Sequence, residues 1–347
     1  MPSSATKTQS QDSDTARRSI PLSILDLAAV GRNETIAESF EGSVKMAQAA
    51  EKAGYRRVWY AEHHNISSIA SSATAVLIAH IAAHTETIRL GSGGVMLPNH
   101  SPMVIAEQFG TLATLHPGRI DLGLGRAPGS DQATTYALRR DPGAAESFPR
   151  DVVELQGLLG DESPIPGVKA IPGQGTHVPL YMLGSSLFGA QLAAELGLPY
   201  AFASQFAPRA LHEAVGIYRQ NFKPSEQLAE PYVIAGVGAI VAGTADEAAE
   251  QLEAARRLRA RALFSRGGQK LSEDDIDSIL NAPQASAVDE MMTYNAVGTA
   301  AEAGEYLERF LEHADADELI VVHQSNSAEA RVRSVELLAE AVDPTGS

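Results

Sequence analysis

Ile88-Arg-Leu-Gly-Ser-Gly-Gly-Val-Met-Leu97 reads as an apolar strand, Met103 to Leu115 as a helix, and Ile120-Asp-Leu-Gly-Leu-Gly125 as the next strand. In the helix Val104, Ile105, Gln108, Phe109 and Leu112 keep one face, and His116-Pro117-Gly118 stops it sharply. Strand, helix, strand in this order is the pattern of a parallel crossover unit.

The alternation extends both ways. Upstream, Ile20 to Leu27 is the first strand, and Glu34 to Ala53 is a helix with Ile36, Phe40, Val44 and Ala47 on one side. Gly54 closes that helix. Val58 to Ala61 is the second strand and Ser72 to His84 its helix. Downstream, a Pro/Gly-marked excursion holds one helix around Asp151 to Leu159, then a loop from Asp161 to Val178 carrying Pro164, Pro166 and Pro172. Pro179 to Leu183 is strand five, with a helix to Leu196. Tyr200 to Ala203 is strand six, with a helix near Ala210 to Phe222. Tyr232 to Val241 is strand seven, and helix material begins at Ala245. Residues 262–297 are polar and irregular, which suggests an insertion with short helices. A helix from Ala300 to His313 leads to strand eight, Leu319 to His323, and Val332, Val335, Leu338 and Val342 mark the closing helix.

Eight strands alternating with eight helices predict an α/β fold, a (β/α)8 TIM-type barrel with an insertion near strand seven. A doubly wound open sheet is the competing arrangement. No linker divides residues 20–342, which read as one domain, whereas residues 1–19 read as a disordered tail.

The formal net charge of -16 argues against a nucleic-acid partner, which wants clustered Lys and Arg, and first of all serves solubility. The absence of cysteine removes disulfides, thiolate nucleophiles and Cys-based metal sites. No apolar run approaches the ~18 to 20 residues that span a bilayer, and residues 1–19 carry no apolar secretory core. A cytoplasmic protein without a membrane partner is expected.

A parallel barrel places its active site at the C-terminal strand ends. After strand two stands Glu62-His63-His64-Asn65, and strand three brings Gly93-Gly94 and then Pro98-Asn99-His100. Strand four ends in Gly125-Arg126, strand five in Gly184-Ser185-Ser186, and strand eight in His323-Gln324. Ser185-Ser186 at a strand-to-helix turn offers N–H groups and a hydroxyl to a phosphate. Arg126 has the planar fork to reach the same anion. Gly93-Gly94 removes two β-carbons, so that a flat ring can lie near the backbone. Each has a plainer meaning: an N-cap, a surface ion pair and a β-bulge.

Other patterns are weaker. Gly123-Leu-Gly-Arg-Ala-Pro-Gly129 superficially resembles a dinucleotide fingerprint, but its third glycine is one place late and Pro128 intervenes. His80 and His84 have the spacing of a zincin pair, yet Ile81 stands where the glutamate belongs. His63 and His64 are adjacent on a strand end and diverge, so at most one faces the mouth.

Taken together, Glu62-His63-His64, the run Leu90 to Pro102, Ala106-Glu107-Gln108 and the run Gly118 to Asp131 resemble the bacterial luciferase-like flavin-dependent monooxygenase family, nearest its stand-alone YhbW-like branch. The likeness extends from about Ile20 to Val342. It implies a barrel that uses reduced FMN and O2 to oxidise a small organic substrate, usually as a homodimer. By motif, Arg126 and Ser185-Ser186 would hold the FMN phosphate. Gly93-Gly94 matches a non-prolyl cis peptide beneath the flavin ring, and His63 matches a histidine that assists the oxygen chemistry.

Nothing in the chain convincingly binds NAD(P)H, so a separate flavin reductase is the expected partner. The deazaflavin F420 as hydride carrier, or a non-catalytic flavin-binding barrel, are the alternatives. Gly125 replaces the cysteine that precedes the arginine in luciferase, which implies a more open flavin face. A side chain at Gly94 is expected to block the ring while leaving the fold intact.

Overall fold

The computed structural model describes residues 17–31, 33–127, 131–141, 143–265 and 271–346. Its parallel strands are β1 (Leu22–Asp26), β2 (Arg57–Tyr60), β3 (Arg89–Met96), β4 (Ile120–Gly125), β5 (Leu180–Gly184), β6 (Tyr200–Phe202), β7 (Val233–Val241), β8 (Asn295–Gly298) and β9 (Glu318–His323). Strand β9 pairs with β1 through Leu319 opposite Leu22, and with β7 through Ile320 opposite Gly236. The sheet therefore closes, and the fold is a (β/α)8 TIM-type barrel rather than an open doubly wound sheet.

Helices α1 (Ile36–Ala53), α2 (Thr74–Ala82), α3 (Pro102–Leu115), α4 (Gln132–Ala137), α5 (Ala144–Leu159), α6 (Leu187–Leu196) and α7 (Leu211–Asn221) accompany the first six strands. After β7 come α8 (Ala245–Phe264), α9 (Glu273–Leu280) and α10 (Ala285–Met291), then α11 (Ala300–His313) and α12 (Ala328–Ala341). None of the described helices is long and apolar enough to cross a membrane. Local chemistry sets their ends. Thr35 and Glu38 form a reciprocal capping box at the start of α1, and Gly54 ends it with φ 88°.

The barrel has two cores. The outer one lies between sheet and helices, where Ile24, Val58, Leu90 and Leu122 meet Met46, Ile78, Ile105 and Phe109. The inner one contains Leu25, Trp59, Ala61, Tyr181, Ala201, Ile234 and Ile320. At the N-terminal end the interior holds a charged plug. Arg57 reaches Asp121 at 2.9 Å and Glu318 at 3.0 Å, Trp59 Nε1 donates to Asp121 at 3.1 Å, and Tyr232 donates to Glu318 at 2.7 Å. The buried charges are paired and hydrogen-bonded, as burial demands. That charged network fills the N-terminal end of the interior.

Several boundaries differ from the sequence reading. Helix α5 begins at Ala144, with Pro149 inside it, whereas the pattern becomes regular only at Asp151. Helix α4 was not expected. The expected insertion at 262–297 contains α9 and α10, but its last residues form β8, which extends the sheet beside Gly238–Val241 of β7. Arg18–Ser19 pair with Val342–Asp343, so the backbone is hydrogen-bonded before the expected boundary at residue 19. Residues 1–16 of the expected tail, Pro128–Ser130 of the strand-four motif and residues 266–270 of the expected insertion lie outside the described residues.

Candidate active site

A cavity of about 430 Å³ opens at the C-terminal ends of the strands. His63, Gly93, Gly94, Arg126, Ser185 and Ser186 all line it, so the fold brings together the six residues that the resemblance assigned to the site, whereas Glu62, His64, His100 and His323 lie outside the lining. Its apolar wall includes Leu27, Met96, Phe188 and Phe206, and Trp59 reaches it from the inner core.

One side of the cavity is suited to an anion. Ser186 is the N-cap residue of α6, yet its side chain makes no capping hydrogen bond. The plain N-cap reading therefore leaves the hydroxyl and the first N–H groups of the helix unexplained. Arg126 faces the same space. Its guanidinium lies 4.0 Å from the centroid of the Phe188 ring, and it has no ion pair among the described residues. The surface ion-pair reading of Arg126 fails on that observation.

Another part of the wall is backbone. The Gly93–Gly94 peptide is cis, and the register between β3 and β4 shifts between Ser92 and Val95, so the pair also forms a bulge. A β-carbon at Gly94 would lie 2.7 Å from Gly123 O, and one at Gly93 would lie 2.5 Å from Leu25 Cδ1. A side chain at Gly94 thus collides with the neighbouring strand, and the expectation that it would leave the fold intact is corrected. Gly125 is corrected too. A β-carbon there would sit 3.0 Å from Met96 Sδ, so the thioether fills the space that the missing cysteine was expected to open.

The histidines separate as adjacent strand-end residues must. His63 lines the cavity, and its backbone N–H donates to Ser71 O at 3.2 Å. His64 turns away and lies with Nε2 2.9 Å from Glu62 Oε1. Glu62 is almost fully buried and also takes His100 Nε2 at 2.9 Å and the Met96 N–H at 2.9 Å. Burial would raise this carboxyl, but donation from His100, His64 and Met96 outweighs it and holds the group below the ordinary carboxylate range. Glu62 thereby ties the end of β2 to the end of β3, which carries the glycine pair.

Three lining side chains escaped the sequence reading as site residues. Gln205 follows β6, and Gln324 follows β9; the Oε1 of each, and Nε2 of Gln324, are buried without a hydrogen-bond partner. Their place just beyond strand ends was the available signal. Arg259 on α8 also lines the cavity. Ala248, Leu252 and Ala255 precede it on the inward face of that helix, so a charge continuing a buried stripe could have marked it. His323 is buried away from the cavity, with Nδ1 2.8 Å from Ser334 Oγ, and burial lowers its pKa to about 3.

The model of the luciferase-like monooxygenase family matches residues 20–318. The chain belongs to the luciferase-like monooxygenase family. It is 47% identical to the luciferase-like monooxygenase of Escherichia coli (strain K12), over 92% of this chain and 96% of that protein. It is 34% identical to the N-acetyl-S-alkylcysteine monooxygenase of Bacillus subtilis (strain 168), over 93% of this chain and 98% of the relative. The crystal structure of apo-MsnO8 superposes with a TM-score of 0.81 at 34% identity, covering 93% and 98% of the two chains. This membership makes the protein an oxidoreductase.

Proposed function

We propose that this luciferase-like monooxygenase family member binds reduced FMN, supplied by a separate flavin reductase, and uses O2 to oxidise a small organic substrate. The observation that carries the reading is the convergence, in one cavity, of an Arg126 that has no ion pair among the described residues, an α6 N-cap at Ser186 without a side-chain capping bond, and the side-chain-free Gly93–Gly94 backbone. A phosphate suits the first two, because helix N–H groups and a guanidinium both favour an oxyanion. A flat heteroaromatic ring suits the third. Gln205 Oε1 and the Gln324 amide, buried without a partner among the described residues, suit a ligand edge rich in N–H and carbonyl groups, since buried polar atoms otherwise go unsatisfied.

Reduced flavin would supply the two electrons that let O2 react with an organic substrate. The protein's own part is to position and to exclude water. His63, on the cavity wall, would hold or pass a proton beside the reacting atoms. The apolar wall formed by Leu27, Met96, Phe188 and Phe206 would keep the site dry. In solution the protein would be a cytoplasmic homodimer: Val76 on α2 and Val104 and Leu115 on α3 are exposed apolar side chains on adjoining helices that a second copy would cover.

Titration with FMN, riboflavin and F420 tests the cofactor, and Trp59, the single tryptophan, reports from the cavity wall. FMN should bind best and riboflavin more weakly. Tighter F420 binding would overturn the FMN assignment. With a flavin reductase and NADH, O2 uptake coupled to an oxidised organic product is expected. Binding without such product would make this a flavin carrier.

A further inference from the structure

Helix α8 carries Arg256, Arg257, Arg259 and Arg261 within six residues. Three of them point at the acidic insertion helices: Arg256 reaches Asp289 at 2.8 Å, Arg257 reaches Glu273 at 2.7 Å, and Arg261 reaches Glu273 at 2.6 Å. Arg259 is different. It lines the cavity and has neither an ion pair nor a hydrogen bond among the described residues. Its surroundings desolvate it, which lowers its pKa from the usual arginine value.

Among the described residues the cavity lining holds no compensating carboxylate. Its lining contains two arginines and one histidine but neither Asp nor Glu, in a chain of 43 acidic and 27 basic residues. Arg259 is half-buried, and a partly desolvated guanidinium without a partner is stabilised when an anion joins it. One anion, the cofactor phosphate, would meet Arg126 and the α6 turn. That leaves Arg259 with its fork unmatched beside apolar side chains.

The geometry points to a substrate that carries a carboxylate, held by Arg259, on an apolar body packed against the cavity wall. This inference rests on the FMN reading for the assignment of Arg126, and it names the substrate class of that same site. A planar guanidinium binds a carboxylate through two parallel N–H donations, so it fixes orientation as well as charge. Arg259 is in this view a specificity-determining residue. It would lower KM for anionic substrates and leave the cofactor grip alone.

The test compares hexanoate with hexanamide by calorimetric titration of the FMN-loaded protein and of the wild-type, Arg259→Gln and Arg259→Lys chains. The wild type should prefer hexanoate by about ten- to a hundredfold, the equivalent of one charge-assisted hydrogen-bond set. Arg259→Gln should lose that preference, Arg259→Lys should keep part of it, and both should bind FMN as the wild type does. Equal wild-type affinity for the two probes overturns the inference. So does an Arg259→Gln chain that loses FMN but keeps riboflavin, because Arg259 would then serve the phosphate. A hexanoate preference that depends on Arg259 in a protein that fails to bind FMN would sink the cofactor reading and leave the carboxylate site standing.

Discussion

The guanidinium of Arg126 lies over the ring of Phe188, 4.0 Å from its centroid, so the cation that faces the α6 turn is held by an aromatic face instead of a carboxylate. Such a contact orients the group without neutralising it, and the charge remains available to a ligand. Arg126→Ala should therefore weaken FMN binding by ~1.5 to 3 kcal/mol, the size of a lost charge-assisted hydrogen bond. Riboflavin, without the phosphate, should bind both proteins about equally. Equal loss of both ligands, measured by quenching of Trp59, would remove Arg126 from the phosphate.

Two glycines give opposite stability outcomes. At Gly94 an added β-carbon meets backbone, 2.7 Å from Gly123 O and 3.1 Å from Leu124 N, which a rotamer change cannot relieve. Gly94→Ala should cost ~1 to 3 kcal/mol through overpacking between β3 and β4. At Gly216, within α7, a β-carbon has nothing within 4 Å. Gly216→Ala should gain ~0.5 to 1 kcal/mol from helix propensity. Urea unfolding midpoints decide both; an unchanged midpoint for Gly94→Ala would show that the strands part easily there.

The barrel was legible because its strands are short, apolar and separated by amphipathic helices whose ends carry capping residues such as Thr35 and Gly54. The mouth residues were legible because Arg126 and Ser185-Ser186 stand just past strand ends and Gly93-Gly94 remove two β-carbons within β3, where a packed core has no use for either. What stayed hidden depends on contacts between distant segments. Only the fold shows that Glu62 is the buried hub for His64, His100 and the Met96 N–H, since those residues are up to 38 positions away. Arg259 was hidden for another reason: among four nearby arginines, helix phase alone turns one inward. Pro149 masked the first turns of α5, and β8 was too short and too polar at Asn295 to read as a strand.

His323 makes stability pH-dependent. Burial lowers its pKa to about 3 from the usual 6.5, so the native state keeps it neutral while the unfolded chain protonates it. The unfolded state therefore binds more protons below pH 6.5. Stability is full above that value and is lost as pH falls toward 3, at up to about 1.4 kcal/mol per pH unit. His323→Gln can still reach Ser334 Oγ and has no proton to gain. Its unfolding free energy should fall less steeply between pH 6.5 and 5 than the wild type's. Parallel slopes would show that the ring is hydrated in the native state.

His63 and His64 share a strand end but have different surroundings, and that difference predicts different failures. His63 lines the cavity, whereas His64 lies 2.9 Å from the buried Glu62 carboxylate. Replacing His64 removes one of the donors that keep Glu62 ionised in the interior. His64→Ala should cost ~1 to 3 kcal/mol of stability, the penalty of leaving a buried acceptor short of a partner. Its turnover, once folded, should stay near the wild type. His63→Ala should keep its FMN affinity, because the phosphate grip belongs to Arg126 and the α6 turn. Its turnover should fall by ~10²- to 10⁴-fold, the usual scale for an acid/base group. Denaturant midpoints, FMN titration and O2 uptake on all three chains separate the cases. If His64→Ala loses turnover at unchanged stability while His63→Ala keeps it, the two roles are exchanged; if neither loses turnover, no histidine at this strand end moves a proton.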